Sequence, residues 1–188
     1  MKVFASKITE KFSIKEISEA IKKPYPLIHK SVNQIIQQNF LIKDNKKLIS
    51  LNYKKNISEI AYIESIRKEE FLKNKTLKII AEDILDKINL DFFIMLIFGS
   101  AVNSKEPRDI DILIIIQDKQ KISEVEKIIL NVLSNFSKKF DINVISAESA
   151  YSMLSKREEI NILNETLNKH ILLFGAENYY RILKNARQ

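Results

Sequence analysis

The spacing of apolar residues changes along the chain, and the changes predict where helices and strands lie. Ser13 and Glu16 match a capping box, and isoleucines follow them at helical spacing. Pro24 breaks this first helix, and Pro26 suits the first turn of a second helix that ends near Asn39. The apolar stripe expected on the second helix consists of Leu27, Ile28, Val32, Ile35 and Ile36.

The next segment passes from a short extended pattern to helical spacing. Residues 40–51 predict a β-hairpin with its turn at Asp44 and Asn45. Residues 58–74 and 76–88 carry apolar positions three and four apart, which predicts two helices or one long bent helix.

The middle of the chain predicts a strand, a turn and a second strand. Residues 92–98 form a continuous apolar run, typical of a strand buried on both faces, that leads directly into Gly99 and Ser100. Asp109 and Asp111 open a second apolar run. Residues two apart on a strand point to the same side and lie about 6.6 Å apart, so both carboxylates are expected on one face.

A further helix and strand complete this pattern. The helix is expected over about 123–138, and the alternation of residues 140–145 predicts a strand with Asp141 on its polar face. If this strand lies beside the one that opens at Asp109, Asp141 faces the same site. His170 is expected to be a packed or surface residue, and Gly175 to form a turn.

Composition narrows the chemistry that these elements can support. The chain has 188 residues, 45% of them hydrophobic, with no cysteine and two histidines. Disulfides and thiolate zinc sites are therefore excluded, and a metal ion would be a hard cation held by carboxylate oxygens. No run reaches about 18 uncharged apolar residues and no signal peptide is recognisable, so we expect a cytoplasmic protein without membrane contact.

Charge is distributed unevenly along the chain. Residues 1–55 contain 12 lysines and four acidic residues, a net charge of +8, whereas residues 56–188 have a net charge of −1. This contrast indicates two modules, of which the first faces a polyanion. The simpler alternative is that lysine only keeps this segment soluble.

The basic segment resembles a winged helix-turn-helix over about residues 3–53, because two helices precede a lysine-rich hairpin. The resemblance implies that the second helix enters the major groove of DNA while the hairpin contacts phosphates. Such folds also serve as structural or dimerising modules, and the usual glycine before the wing is replaced by Asn39. The residues expected to contact nucleic acid are Tyr25, His29, Lys30, Asn33 and Gln37 on the helix and Lys43, Lys46 and Lys47 on the hairpin.

The turn and the two carboxylates predict a site for a nucleoside triphosphate and a divalent metal. Asp109 and Asp111 repel each other unless a cation lies between them, and Mg²⁺ takes oxygen ligands while leaving positions open for phosphates. Ser100 can offer its hydroxyl and backbone N–H to a phosphate, which Gly99 would allow to approach closely. The chain keeps only two glycines, where average usage would give about 13.

Phe98-Gly99-Ser100, then Asp109-Ile110-Asp111, then Asp141 together resemble the nucleotidyltransferase superfamily of DNA polymerase beta, especially its small prokaryotic members. The resemblance covers about residues 76–146, and residues 169–180 resemble the tail of prokaryotic members. It implies an α+β chain with a small mixed sheet flanked by helices. The expected domains are a winged helix-turn-helix at 1–55, connecting helices at 56–88 and a nucleotidyltransferase domain at 89–188.

This resemblance also implies an activity. A nucleoside monophosphate would pass from a nucleoside triphosphate, usually ATP, to a hydroxyl group with release of pyrophosphate. Asp109 and Asp111 would hold Mg²⁺, with two ions allowed, and Asp141 would be a third ligand or the base. Gly99 and Ser100 would bind the triphosphate.

Two departures from the family pattern leave alternatives open. Many members have an arginine three residues after the serine, where this chain has Asn103, and the serine-to-aspartate spacing is shorter than in many. Lys105 or Arg108 could supply the missing charge. One alternative is a DNA-binding regulator whose nucleotidyltransferase fold is inactive or senses nucleotide. Another is the nucleotidyltransferase half of a toxin–antitoxin pair that modifies a partner protein.

Overall fold

A four-stranded mixed sheet lies between helices, and a two-stranded hairpin forms a second, smaller sheet. The computed structural model describes residues 1–104 and 107–188. The expected α+β class with a small mixed sheet flanked by helices is therefore confirmed.

Short helices and a hairpin form the first third of the chain. Its elements are α1 (Lys2–Ser6), α2 (Ile14–Ile21), α3 (Tyr25–Gln37), β1 (Leu41–Lys43) and β2 (Ile49–Leu51). The capping box is present, because the Ser13 hydroxyl accepts from the Glu16 N–H while the Glu16 carboxylate accepts from the Ser13 N–H. Pro26 lies in the first turn of α3. The predicted order of two helices and a hairpin is confirmed.

One residue of the expected stripe on α3 is placed differently. Ile28 and Val32 are buried, but Leu27 is 53% exposed. Leu27 precedes Ile28 by one residue, which turns its side chain about 100° around the helix from the buried stripe. The prediction that Leu27 belongs to the core was wrong.

The connecting segment forms two separate helices, α4 (Ile57–Phe71) and α5 (Lys75–Lys87), and not one bent helix. The chain turns between them, and the Asn74 side chain accepts from the Leu77 N–H at the start of α5. This side-chain cap begins a new helix where the alternative would have continued the old one.

The main sheet consists of β3 (Phe93–Phe98), β4 (Asp109–Ile116), β5 (Lys139–Ser146) and β6 (His170–Phe174). Its order is β5-β4-β3-β6. β4 runs parallel to β5, while β3 is antiparallel to both of its neighbours. A 3₁₀ turn at Gly99–Val102 follows β3 directly.

The remaining helices are α6 (Ile122–Leu133), α7 (Ala147–Ser155), α8 (Ile162–Thr166) and α9 (Ala176–Ala186). α6 ends earlier than the expected position near residue 138. The Ser134 hydroxyl and the Asn135 amide donate to carbonyls of the last turn, which satisfies groups that a longer helix would have paired. Within the described part of the chain, no helix is long and apolar enough to cross a membrane.

Two apolar clusters cover the two faces of the sheet. One contains Ile94 and Leu113 and continues without interruption into α2, α3, the hairpin and α9. The other contains Ile112 and Ile114 and packs under α5 and α6. The predicted domain boundaries at residues 55 and 88 stay predictions, but the first cluster includes residues on both sides of position 55.

A buried polar cluster connects α4 to β6 and α9. The fully buried Glu64 carboxylate accepts from Arg67 and, over 2.8 Å, from the Tyr180 hydroxyl. The Nε2 atom of His170 lies 3.4 Å from the same carboxylate, and Nδ1 donates to the Thr166 carbonyl over 2.7 Å. Arg67 also donates to the His170 carbonyl over 2.6 Å. His170 is therefore a packed residue, one of the two expected outcomes.

These contacts govern the ionisation of Glu64. Burial alone would raise its pKa, but the hydrogen bond and charge of His170, the Arg67 guanidinium and the Tyr180 hydroxyl outweigh burial and lower it. The unfolded chain therefore takes up the proton first as the pH falls. This stabilisation is complete above about pH 4.5 and is lost as the pH drops through the folded-state pKa.

We predict that Glu64→Gln lowers the free energy of unfolding at pH 7 by about 3–5 kcal/mol, because the Arg67 guanidinium stays buried without its carboxylate partner. The variant should also lose part of the stability change that the wild type shows between pH 7 and pH 3. Denaturant unfolding at both pH values measures this, with Glu69→Gln on the exposed face of α4 as the control. Equal stability of Glu64→Gln and wild type at pH 7 would contradict the account.

Candidate functional site

Three aspartates lie on two adjacent strands at one end of the main sheet. Asp109 and Asp111 are half-buried at the start of β4, whereas Ile110 between them is fully buried, so both carboxylates lie on one face as expected. Asp111 pairs in register with Asp141 of the parallel strand β5 and with Phe98 of β3. The strand that carries Asp141 therefore lies beside the strand that opens at Asp109, which was the condition for the carboxylates to face one site.

Gly99 is required at its position by two independent features. Its φ is +68°, a left-handed conformation that side chains rarely adopt, and a Cβ built on it would lie 2.1 Å from Oδ2 of Asp111. The missing side chain thus provides the space that the Asp111 carboxylate occupies. The left-handed backbone and the neighbouring carboxylate together explain why a chain with only two glycines has one here.

Ser100 points to the same group of side chains. Its hydroxyl is exposed and lies 3.4 Å from Oδ1 of Asp109, a long hydrogen bond. The Asn103 N–H donates to the Ser100 carbonyl over 3.3 Å and closes the 3₁₀ turn. Because only four residues form this turn, the favourable field of a helix N-terminus is small here.

Like charges dominate the electrostatics at this end of the sheet. The pKa of Asp111 is raised, first by burial and then by the carboxylates of Asp109 and Asp141. The Lys169 ammonium acts in the opposite direction. A cation bound at this edge would relieve the repulsion that the three carboxylates impose on one another.

The carboxylate oxygens of Asp109 and Asp111 are of the type, and suffice in number, for a magnesium ion that also binds phosphates. Within residues 1–104 and 107–188, no three acidic or histidine side chains are close enough together to hold a metal ion between them. Mg²⁺ in phosphate-binding sites uses one or two carboxylates and takes its other ligands from water and substrate phosphates. Asp109 and Asp111 meet this smaller requirement.

The cations expected near the turn are only partly described. Lys105 lies outside the described residues. Arg108 is exposed immediately before β4. Lys169, which sequence reasoning did not select, is the cation whose charge acts on Asp111. Its place depends on the pairing of β6 with β3, two strands separated by more than 70 residues, and no local pattern indicates that pairing.

A second group of predicted residues lines a basic cleft of about 370 Å³ between α3 and the hairpin. The Tyr25 and His29 rings stack there with their centroids 6.1 Å apart. The cleft is lined by Tyr25, His29, Lys43, Lys46 and Lys47, all predicted, and by Ser13, Ile14, Lys15 and Leu48. Four lysines therefore surround one aromatic pair.

The other predicted contacts lie along α3 outside this basic cleft. The Asn33 amide donates to Nδ1 of His29 over 3.4 Å and so extends the same face of the helix. Lys30 and Gln37 lie on α3 but do not line the cleft. Lys15, which was not predicted, lines the cleft from the first turn of α2. No pattern in the sequence distinguishes it from other exposed lysines.

We predict different effects for alanine at the two glycines. Gly175, the expected turn residue, also has a positive φ, but an added Cβ would lie 2.6 Å from the Phe93 carbonyl oxygen. Gly99→Ala should lower the free energy of unfolding by about 1–2 kcal/mol, the penalty for a side chain on a left-handed backbone. The steric contact should add little, because the Asp111 side chain can rotate away. Gly175→Ala should lower the free energy of unfolding further, because the Phe93 backbone cannot move aside as easily as a side chain. Denaturant unfolding compares the two, and a larger loss for Gly99→Ala would contradict this interpretation.

Comparisons with protein-family models, with curated proteins and with solved structures each found no match to this chain.

Proposed function

We propose that this protein is a Mg²⁺-dependent nucleotidyltransferase of the DNA polymerase beta type, which transfers a nucleoside monophosphate from a nucleoside triphosphate such as ATP to a hydroxyl group. One observation carries the proposal: Gly99, Ser100, Asp109, Asp111 and Asp141 lie together at one end of the sheet. These are the residues that the family resemblance selects.

The roles follow from position and exposure. Asp109 and Asp111 would hold Mg²⁺, which when bound supplies a positive charge beside the phosphates. The exposed Ser100 hydroxyl would donate to a phosphate oxygen. Its present partner, Asp109, is 3.4 Å away, a distance at which little is lost when the hydroxyl turns to a ligand.

Asp141 is suited to act on the acceptor. Its carboxylate is exposed, and it lies in register beside the half-buried Asp111. An acceptor hydroxyl arriving from solvent would meet Asp141, which would take its proton while the hydroxyl oxygen bonds to the α-phosphorus. The bond from that phosphorus to pyrophosphate breaks, so pyrophosphate leaves with the electron pair.

We predict that Asp109→Asn lowers Mg²⁺-dependent transfer of label from α-labelled nucleoside triphosphates at least about 100-fold, because several kcal/mol of charge stabilisation are lost. Hydroxyl-bearing proteins, RNA ends and small molecules serve as acceptors in parallel reactions. Asp83→Asn, an exposed aspartate on α5, is the control and should transfer label like the wild type. Transfer that Asp109→Asn leaves unchanged would refute the assignment.

A second candidate function, binding of duplex DNA through a winged helix-turn-helix, is favoured by the basic cleft. Lys15, Lys43, Lys46 and Lys47 line it on one side of α3, and α3 presents the stacked Tyr25 and His29 rings beside them. Several lysines along one groove bind phosphates without regard to sequence, and aromatic or amide groups on the helix can contact bases.

We predict that Lys43→Gln/Lys46→Gln weakens duplex binding and reduces the slope of log affinity against log salt by about 0.9 for each phosphate that the variant no longer neutralises. Lys119→Gln/Lys121→Gln, on an exposed 3₁₀ turn elsewhere, is the matched control. Fluorescence anisotropy at several salt concentrations measures both. Equal slopes for the cleft variant and the control would exclude the basic cleft as the DNA-binding surface.

A further inference from the structure

We propose that Lys169 binds the triphosphate at the Gly99-Ser100 turn and supplies the positive charge that Asn103 cannot. This inference rests on the proposed nucleotidyltransferase function and identifies one more residue of that site. Lys169 lies more than 60 residues after Asn103 in the sequence and immediately precedes β6, the strand that pairs with the end of β3.

Strand register sets Lys169 beside the turn. Phe98, the last residue of β3, pairs antiparallel with His170, the first residue of β6. Lys169 immediately precedes His170 of this pair, and Gly99 immediately follows Phe98. Asp111 pairs with Phe98 from the other side, so the turn begins between Asp111 on β4 and the start of β6, which Lys169 precedes. Burial and the carboxylates of Asp109 and Asp141 raise the pKa of Asp111, and the Lys169 ammonium acts against them.

The backbone that carries Lys169 is held on both sides. Before it, the Asn168 side chain accepts from the Thr9 N–H over 3.0 Å and donates to the Thr9 hydroxyl over 2.8 Å. After it, His170 is fixed by the buried cluster with Glu64 and Arg67. A lysine whose neighbours are anchored in this way is preorganised, because its backbone does not have to be ordered when ligand binds.

The ammonium of Lys169 is available to a ligand. The side chain is exposed, and among the described residues no carboxylate lies within ion-pair distance of it. Lys2, Lys7 and Lys11 differ, since each pairs with a carboxylate. A lysine anchored in its backbone but with no ion-pair partner in the described chain is positioned to bind an anion.

A lysine at this position has a definite role in phosphoryl transfer. Negative charge increases on the β- and γ-phosphates when pyrophosphate leaves, and a compact ammonium beside them stabilises that charge. Lys169 would therefore strengthen the binding of a triphosphate. It would contribute little to the binding of a monophosphate, whose single phosphate would lie nearer the aspartates.

The test compares Lys169→Met and Lys169→Arg with Lys127→Met, an exposed lysine on α6. Equilibrium dialysis with Mg²⁺ measures the dissociation constants of ATP and AMP for each protein. Lys169→Met should weaken ATP binding about 10- to 100-fold, as expected when a charged hydrogen bond is removed, and change AMP binding less than about twofold. Lys169→Arg should restore most of the ATP affinity, and Lys127→Met should bind like the wild type.

The two proposals fail in different ways. If the wild type binds ATP and transfers label but Lys169→Met binds ATP equally well, the role of Lys169 is overturned and the proposed function remains. An equal loss for ATP and AMP, or an equal loss in Lys127→Met, also overturns it. If the wild type binds no ATP with Mg²⁺, the proposed function fails and the role of Lys169 fails with it. Thermal unfolding of each variant confirms that it is folded.

Discussion

The position of β4 between β3 and β5 is the constraint on which the candidate site depends. Residues from Ile112 to Ile116 are buried on both faces of the sheet, under two separate apolar clusters. A slip of one residue in register would exchange the faces of every side chain and expose one of these clusters, so the apolar residues fix the register firmly. Asp109 and Asp111 emerge where the strand leaves the core, and Asp141 follows from the parallel pairing with β5. Gly99 suits this arrangement because its backbone is left-handed and because the Asp111 carboxylate occupies the space of a side chain.

The buried cluster around Glu64 holds the start of β6 in place, on the side of the Gly99-Ser100 turn opposite β4. It joins α4, β6 and α9 through hydrogen bonds to one fully buried carboxylate. Such a cluster is costly compared with apolar packing of equal volume, and its main effect is to select one arrangement of the groups that it joins. Here it fixes the start of β6, which pairs with the end of β3. The Gly99-Ser100 turn therefore lies between strands whose positions are set by apolar burial on one side and by buried hydrogen bonds on the other.

Local patterns predicted the parts of the structure that depend on neighbouring residues. The capping box, the hairpin, the apolar strand before Gly99 and the common face of Asp109 and Asp111 are all properties of short segments. Long-range features could not be predicted in this way. Glu64 and Arg67 have the spacing of an ordinary surface pair on a helix, and only the packing of α4 against β6 and α9 buries them. Lys169 begins the segment that resembles the family's tail, but no local pattern there indicates that it lies near the Gly99-Ser100 turn. Leu27 and the end of α6 were missed because periodicity gives the direction of a helical face and the position of a terminus only approximately.

The central claim is that the carboxylates at the start of β4 and the turn after β3 form one site for a metal-bound nucleoside triphosphate. The most direct measurement is the broadening of backbone amide NMR signals by Mn²⁺, a paramagnetic substitute for Mg²⁺, with and without a non-hydrolysable triphosphate. The account predicts strong broadening at Gly99, Ser100 and Asp109–Asp111 that increases when the triphosphate is added. Broadening confined to other parts of the chain, or none at these residues with the triphosphate present, would contradict it.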